Sequence, residues 1–186
     1  MSEEKTVGLL LQSIPYLGNK KILKVLSPDG ILSLISGKKS LSRITTPFVW
    51  AEWVYQVKDK KELHSLHDGT LLDELAGVKE NYEGLMTAGQ MANDLLKTQM
   101  PGKPAVEALT LTLACLRKLP LFTHPRVLLA AFRLKLLHCE GLLDESEAPE
   151  FETLLLCRSF SGLAALPKDD LFLDQVDRLF EERIDS

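Results

Sequence analysis

No signature of catalysis, metal binding or export runs through this sequence, and each absence narrows what the chain can do. There is no glycine-rich phosphate loop, nucleophile elbow, His-Glu-x-x-His pair or Cys-x-x-Cys pair, so enzymatic activity, cofactors and structural zinc have no support. The three cysteines, Cys115, Cys139 and Cys157, are odd in number and far apart; each falls in an apolar helical pattern and is expected to pack as a reduced thiol. His64 and His67 are spaced to leave opposite faces of a strand, so a shared metal is not expected. His138 and Cys139 diverge by about 100° on a helix and read as packing residues. The acid pairs Asp169-Asp170 and Glu181-Glu182 read as solvated helix ends rather than catalytic carboxylates. The amino terminus, MSEEKTVGLLLQS, has acids where an export signal needs cations, and its apolar run is short. A cytoplasmic protein without membrane contact is expected.

What is present is a soluble composition, 45% apolar and 26% charged, with a net charge of −4 that is unevenly spread. Residues 1–70 carry ten Lys and Arg against seven Asp and Glu; the remainder carries twelve against nineteen. A basic front and an acidic back suggest two modules with different partners, which we divide at residues 1–75 and 76–186.

The front half reads as five strands: Thr6 to Ile14, Lys21 to Ser27, Ile31 to Ser36, Phe48 to Val57, and Glu62 to Leu72. Ser27-Pro28-Asp29-Gly30 is a turn, so the second and third strands should form a hairpin. The fourth strand alternates most clearly, with Val49, Ala51, Trp53, Tyr55 and Val57 on one face, facing a core. Five short strands with no helix between the first four fit a small antiparallel barrel such as the OB-fold, with a β-meander or SH3-like barrel as competitor.

Cations cluster at the connections of this barrel. Lys20, Lys21 and Lys24 occupy the first loop and second strand, Lys38, Lys39 and Arg43 follow the third strand, and Lys58, Lys60 and Lys61 fill the fourth connection. OB-folds bind nucleic acid with strands two and three and with the first and fourth loops, which hold six of these nine cations. The competing reading is that lysines merely blunt exposed strand edges. Tyr16, in the first loop, is a candidate platform for base stacking; Phe48 and Trp50 are expected to pack against the helical module instead.

From Ala76 the spacing becomes helical. Expected helices run over Asn81–Met100, Pro104–Leu119, His124–Leu143, Glu150–Leu166 with an interruption at Gly162, and Leu171–Ile184. The third is apolar almost all round, leaving a narrow polar edge at Arg126, Arg133 and Glu140, so it should be the buried centre of an all-α bundle. The fold class is therefore α+β: an amino-terminal five-stranded OB-fold-like barrel followed by a helical domain.

Scattered residues resemble the bacterial recombination mediator family RecO. They are Ser13, Pro15 and Tyr16; Gly30 and Ser33; Gly37-Lys38-Lys39 in place of that family's Lys-Gly-Ala-Arg segment; Pro47-Phe48; and Phe132, Leu134, Leu136, Leu137 and Gly141, similar to Phe-x-Leu-x-Leu-Leu-x-x-x-Gly. The resemblance implies a non-enzymatic mediator of DNA repair that binds single- and double-stranded DNA, anneals strands, and partners a RecR-like protein and single-stranded-DNA-binding protein. The alternative is an adaptor whose barrel no longer touches DNA. Three departures stand out: Leu142 to Phe151 lacks the four-cysteine zinc site of many members, Gly18 and Lys20 replace residues that are usually acidic, and the segment after Gly37 is short.

Overall fold

Alternation between core-facing and solvent-facing side chains builds the first part of the chain. Strands β1 (Glu3–Tyr16), β2 (Lys20–Ser27), β3 (Gly30–Ser36), β4 (Trp50–Gln56) and β5 (Leu63–Asp73) close into a barrel of order β1-β2-β3-β5-β4, with β4 returning to β1. The computed structural model describes residues 2–37, 39–144, 146–147, 149–166 and 169–186, excluding the side chains of residues 39 and 40. The pairing of β3 with β5 is parallel, Ser33 opposite Leu63 and Ile35 opposite Ser65, which departs from the all-antiparallel expectation and excludes a meander. This is the OB-fold arrangement of a five-stranded barrel followed by helices.

The barrel core contains Leu10, Leu23, Val25, Leu34, Val49, Ala51, Trp53, Tyr55 and Leu66. The fourth strand thus buries the face its alternation indicates, and the Trp53 indole N–H donates to the Gly8 carbonyl at 3.0 Å. A 3₁₀ helix, Lys39–Thr45, sits between β3 and β4 where no helix is expected, and it sends Leu41 and Ile44 into the core. Its seven residues are too short to show a helical period in sequence. Phe48 is not part of β4: it is buried, has φ 62°, and donates its N–H to Leu10 O at 2.8 Å, while Trp50 is half-buried.

The chain divides into two compact units, residues 1–76 with 99–109, and residues 77–98 with 110–186. The return of 99–109 is anchored on the β2–β3 turn. Ile31 N–H donates to Met100 O at 3.3 Å, Ala105 N–H donates to Pro28 O at 2.8 Å, and Gly30 bridges Pro101. Gly30 has φ 96°, and a Cβ there would collide with the carbonyls of Met100 and Lys103.

The second unit contains α1 (Tyr82–Thr98), most of α2 (Val106–Lys118), α3 (Pro125–Cys139), α4 (Glu152–Leu156), α5 (Phe160–Ala164) and α6 (Asp170–Asp185). The sequence's fourth helix is two, separated at Cys157–Ser159, where the Ser159 hydroxyl caps α5 by accepting from Gly162 N–H at 3.0 Å; the break lies before Gly162, not at it. Asp169 caps α6 through Phe172 N–H, while Pro167, expected to precede it, lies outside the described residues.

Helix α3 contacts α1, α4, α5 and α6, and Leu128, Phe132, Leu134, Leu136 and Leu137 are fully buried. It ends in a Schellman turn: Gly141 (φ 69°) donates to His138 O at 3.0 Å and Leu142 N–H donates to Leu137 O at 2.8 Å. Its polar edge differs from expectation at Arg133, which is buried and paired with Asp94 and Asp177. Such a pair across three helices leaves no local trace in sequence. His138 and Cys139, the last two residues of α3, are exposed rather than packed. Cys115 is buried as expected and Cys157 is half-buried. Among the described residues, no helix is long and apolar enough to cross a membrane.

Candidate nucleic-acid interface

Residues directly opposite each other in an antiparallel pair share a face of the sheet. The register therefore lays three rows across the outer surface of β1, β2 and β3: Gln12–Lys24–Ser33, Ile14–Ile22–Ile35 and Tyr16–Lys20. The alternate residues, Leu23, Val25 and Leu34, fill the core. None of the eight outward residues is acidic. Lysines stand in the two outer rows and an apolar row lies between them, with Ile22 and Ile35 half-buried and Ile14 at the border of exposure. Lys24 lies four positions along β2 from Lys20, about 13 Å at strand rise.

Tyr16 ends β1 opposite Lys20, with 40% of its surface exposed, and Leu17 at the loop tip is 73% exposed. Gly37 continues the row, since a Cβ there would lie 3.5 Å from Lys20 Cγ. The Lys24 ammonium donates to Ser33 Oγ at 2.8 Å, which holds the side chain along the face rather than away from it.

The β4–β5 connection borders the other end of this face, because β5 begins with Leu63 beside Ser33, the partner of Lys24. Lys61 N–H donates to Lys58 O at 3.2 Å, Lys60 adopts φ 58°, and Lys58 N–H donates to His64 Nδ1 at 3.2 Å. Lys60 and Lys61 are exposed and Lys58 is half-buried. His64 stacks on Tyr55, ring centroids 5.7 Å apart at 26°, and Tyr55 donates to Glu4 Oε2 at 3.1 Å. Burial, then the hydrogen bond and charge of Glu4, push the Tyr55 phenol up to about 12.

Lys21 and Arg43 stand apart from this arrangement. Lys21 belongs to the core-facing phase of β2 and reaches past the barrel end to Thr45 Oγ1 at 3.3 Å. Arg43 is on the 3₁₀ helix and pairs with Glu74 at 2.9 Å. Lys38 lies outside the described residues, as does the side chain of Lys39. His67 meets Glu3 at 3.1 Å, and His64 accepts from the Lys58 N–H at 3.2 Å.

The sequence signal missed was periodicity within β2. Lys20, Ile22 and Lys24 alternate with Lys21, Leu23 and Val25, which already separates Lys21 from its neighbours. The role of His64 as an acceptor has no such signal. Among the described residues no three of His, Cys, Asp and Glu converge to hold a metal. With no cysteine between Leu142 and Phe151, the donor set does not fit a four-cysteine zinc site.

The second unit offers a different surface. Leu111, Leu128, Phe132, Phe160 and Leu163 line an apolar cavity of about 250 Å³ whose boundary also includes Lys135 and Arg158. The Lys135 ammonium donates to Leu155 O at 2.8 Å and Cys157 O at 2.9 Å, tying α3 to the break between α4 and α5.

No family model matches the chain. It is 31% identical over 157 residues to the DNA repair protein RecO of Chlamydia muridarum, covering 82% of this chain and 64% of that protein. It is 31% identical over 146 residues to the DNA repair protein RecO of Chlamydia trachomatis, covering 76% and 60%, and 26% identical over 146 residues to that of Chlamydia pneumoniae, covering 76% and 58%. The chain thus spans less than two thirds of the length of these relatives.

Proposed function

We propose that this chain, similar over most of its length to RecO DNA repair proteins, is a non-enzymatic mediator of DNA repair and recombination that binds single- and double-stranded DNA through its barrel and promotes annealing. The observation that carries this reading is the acid-free outer face of β1, β2 and β3, with Lys20 and Lys24 either side of an apolar row, Tyr16 at one end and the Lys58–Lys61 turn at the other. Phosphates are neutralised by the lysines while bases lie on the apolar row and the Tyr16 ring, the combination that binds single strands without reading sequence. Lys21, Lys38, Lys39 and Arg43 complete the proposed set of cations, with Lys21 reaching the barrel end. Arg43 contributes least because Glu74 already neutralises it.

The division of labour follows the halves of the chain, with residues 1–75 as the nucleic-acid module and residues 76–186 as the module that recruits a RecR-like protein and single-stranded-DNA-binding protein. The apolar cavity bordered by Lys135 and Arg158 supports recruitment, since apolar walls with adjacent cations suit an acidic, hydrophobic peptide. The protein acts in the cytoplasm, at the nucleoid when on DNA. A second reading, an adaptor whose barrel does not contact DNA, is favoured by the chain's net charge of −4.

A salt titration with a labelled single-stranded oligonucleotide separates the two. Four to six phosphate contacts give a slope of log affinity against log salt of roughly −3 to −4. Joint Lys20→Ala and Lys24→Ala should make it shallower by about 1.4. A slope near zero, or binding indifferent to both substitutions, selects the adaptor.

A further inference from the structure

A turn carrying three lysines against one acid, Asp59, has little reason of its own to hold one shape: the excess of like charge repels, and long side chains lose entropy when ordered. Lys60 is in the left-handed region at φ 58°, where a residue with a Cβ is strained. The internal hydrogen bond from Lys61 N–H to Lys58 O closes the turn but does not attach it to the barrel. Attachment comes from His64.

Building on the reading of the barrel as a nucleic-acid module, the geometry assigns to His64 the positioning of the Lys58–Lys61 turn against the phosphate backbone. His64 is the second residue of β5, opposite Leu34, and its ring lies on Tyr55 of β4. Tyr55 is itself fixed by its hydrogen bond to Glu4 of β1. A chain of contacts therefore runs from β1 through β4 and β5 to the Lys58 amide. To accept that N–H, Nδ1 must be unprotonated, which places the ring proton of the neutral imidazole on Nε2. The turn then presents Lys58, Lys60 and Lys61 beside the Lys24–Ser33 row, with its ordering already done before nucleic acid arrives.

Two substitutions separate the ring from the acceptor. His64→Phe keeps an aromatic ring on Tyr55 and removes the nitrogen; His64→Asn places an amide oxygen near the position of Nδ1 and removes the ring. For the full chain and a labelled single-stranded oligonucleotide, His64→Phe should weaken binding by about three- to tenfold and make the salt slope shallower by about one contact, or 0.7. His64→Asn should stay close to wild type. Joint Lys60→Ala and Lys61→Ala should cost less affinity in the His64→Phe background than in wild type. In the protein without DNA, the Lys58 amide should exchange slowly in wild type and His64→Asn and fast in His64→Phe.

Unchanged affinity and slope in His64→Phe, or full additivity with the lysine substitutions, overturns the assignment. If the lysine pair has no effect in wild type while Lys20→Ala still does, His64 positions nothing that binds, and only this inference falls. Loss of all salt-dependent binding in wild type removes the proposed function with it.

Discussion

Asp94 of α1 and Arg133 of α3 are joined by two side-by-side hydrogen bonds, Nε to Oδ2 at 2.8 Å and Nη2 to Oδ1 at 3.2 Å, with the aspartate side chain only 3% exposed. The guanidinium also donates to Asp177 of α6 at 2.7 Å and lies 5.1 Å from the centroid of the Phe180 ring. Burial pushes the Asp94 carboxyl above its ordinary range, and Arg133 brings it only part of the way back. The two partners are therefore not equivalent. Arg133→Met leaves a buried carboxylate without its cation and should cost about 3–5 kcal/mol. Asp94→Asn leaves Arg133 its bond to Asp177 and should cost clearly less. Urea melts of both variants measure the difference, and equal losses would refute the asymmetry.

Phe132 is fully buried on the helix that four others contact. Phe132→Ala should lose about 3–5 kcal/mol through lost transfer energy and a residual cavity. Lys61→Ala, on an exposed turn, should change stability by less than about 0.5 kcal/mol while weakening oligonucleotide binding. Denaturant midpoints and an anisotropy titration on the same samples check both statements.

Tyr16→Ala should cost about 1–3 kcal/mol of single-strand affinity, the worth of one stacked base, with the salt slope unchanged because no charge is removed. Tyr16→Phe should bind as wild type. An affinity indifferent to Tyr16→Ala would show that no base meets the ring.

The Tyr55 phenol is raised from 10.0 to about 12 by burial and then by Glu4. A group whose folded value lies above its unfolded one contributes stability that is fully present below about pH 10 and is lost as pH rises through about 12. Stability between pH 10 and 12 should thus fall more steeply in wild type than in Tyr55→Phe, by on the order of 2 kcal/mol at most. Parallel urea melts across that window test it.

The thiols should separate kinetically. Cys139 is exposed and should be alkylated first at neutral pH, with half-buried Cys157 slower. Burial pushes the Cys115 thiol up to about 12, so it lacks both access and thiolate and should react only on unfolding. Mass spectrometry of timed maleimide labelling reads the order directly.

Legibility in the sequence followed the range of each interaction. Val49, Ala51, Trp53 and Tyr55 were readable because alternation is a local consequence of the pleat, and α3 was readable because a helix apolar all round must be covered. The parallel β3–β5 pairing was not, because closure joins residues some thirty positions apart and leaves no local mark. The lysine clusters were legible as composition. Their sorting into Lys20 and Lys24 on one face, Lys21 at the barrel end and Arg43 in an ion pair with Glu74 needed register and tertiary contacts. Arg133 and His64 were missed for the same reason: their partners are supplied by other helices, another strand and a turn.

The docking of residues 99–109 onto the β2–β3 turn has a consequence in time. All five strands have been synthesised by Asp73, yet the carbonyls of Met100 and Lys103 that crowd Gly30 belong to chain made only after α1. At about 5–20 residues per second, the ribosome takes roughly two to seven seconds to supply that stretch. During that interval the nascent barrel is unfinished at one hairpin, so the first unit is completed by a segment translated after the opening helix of the second.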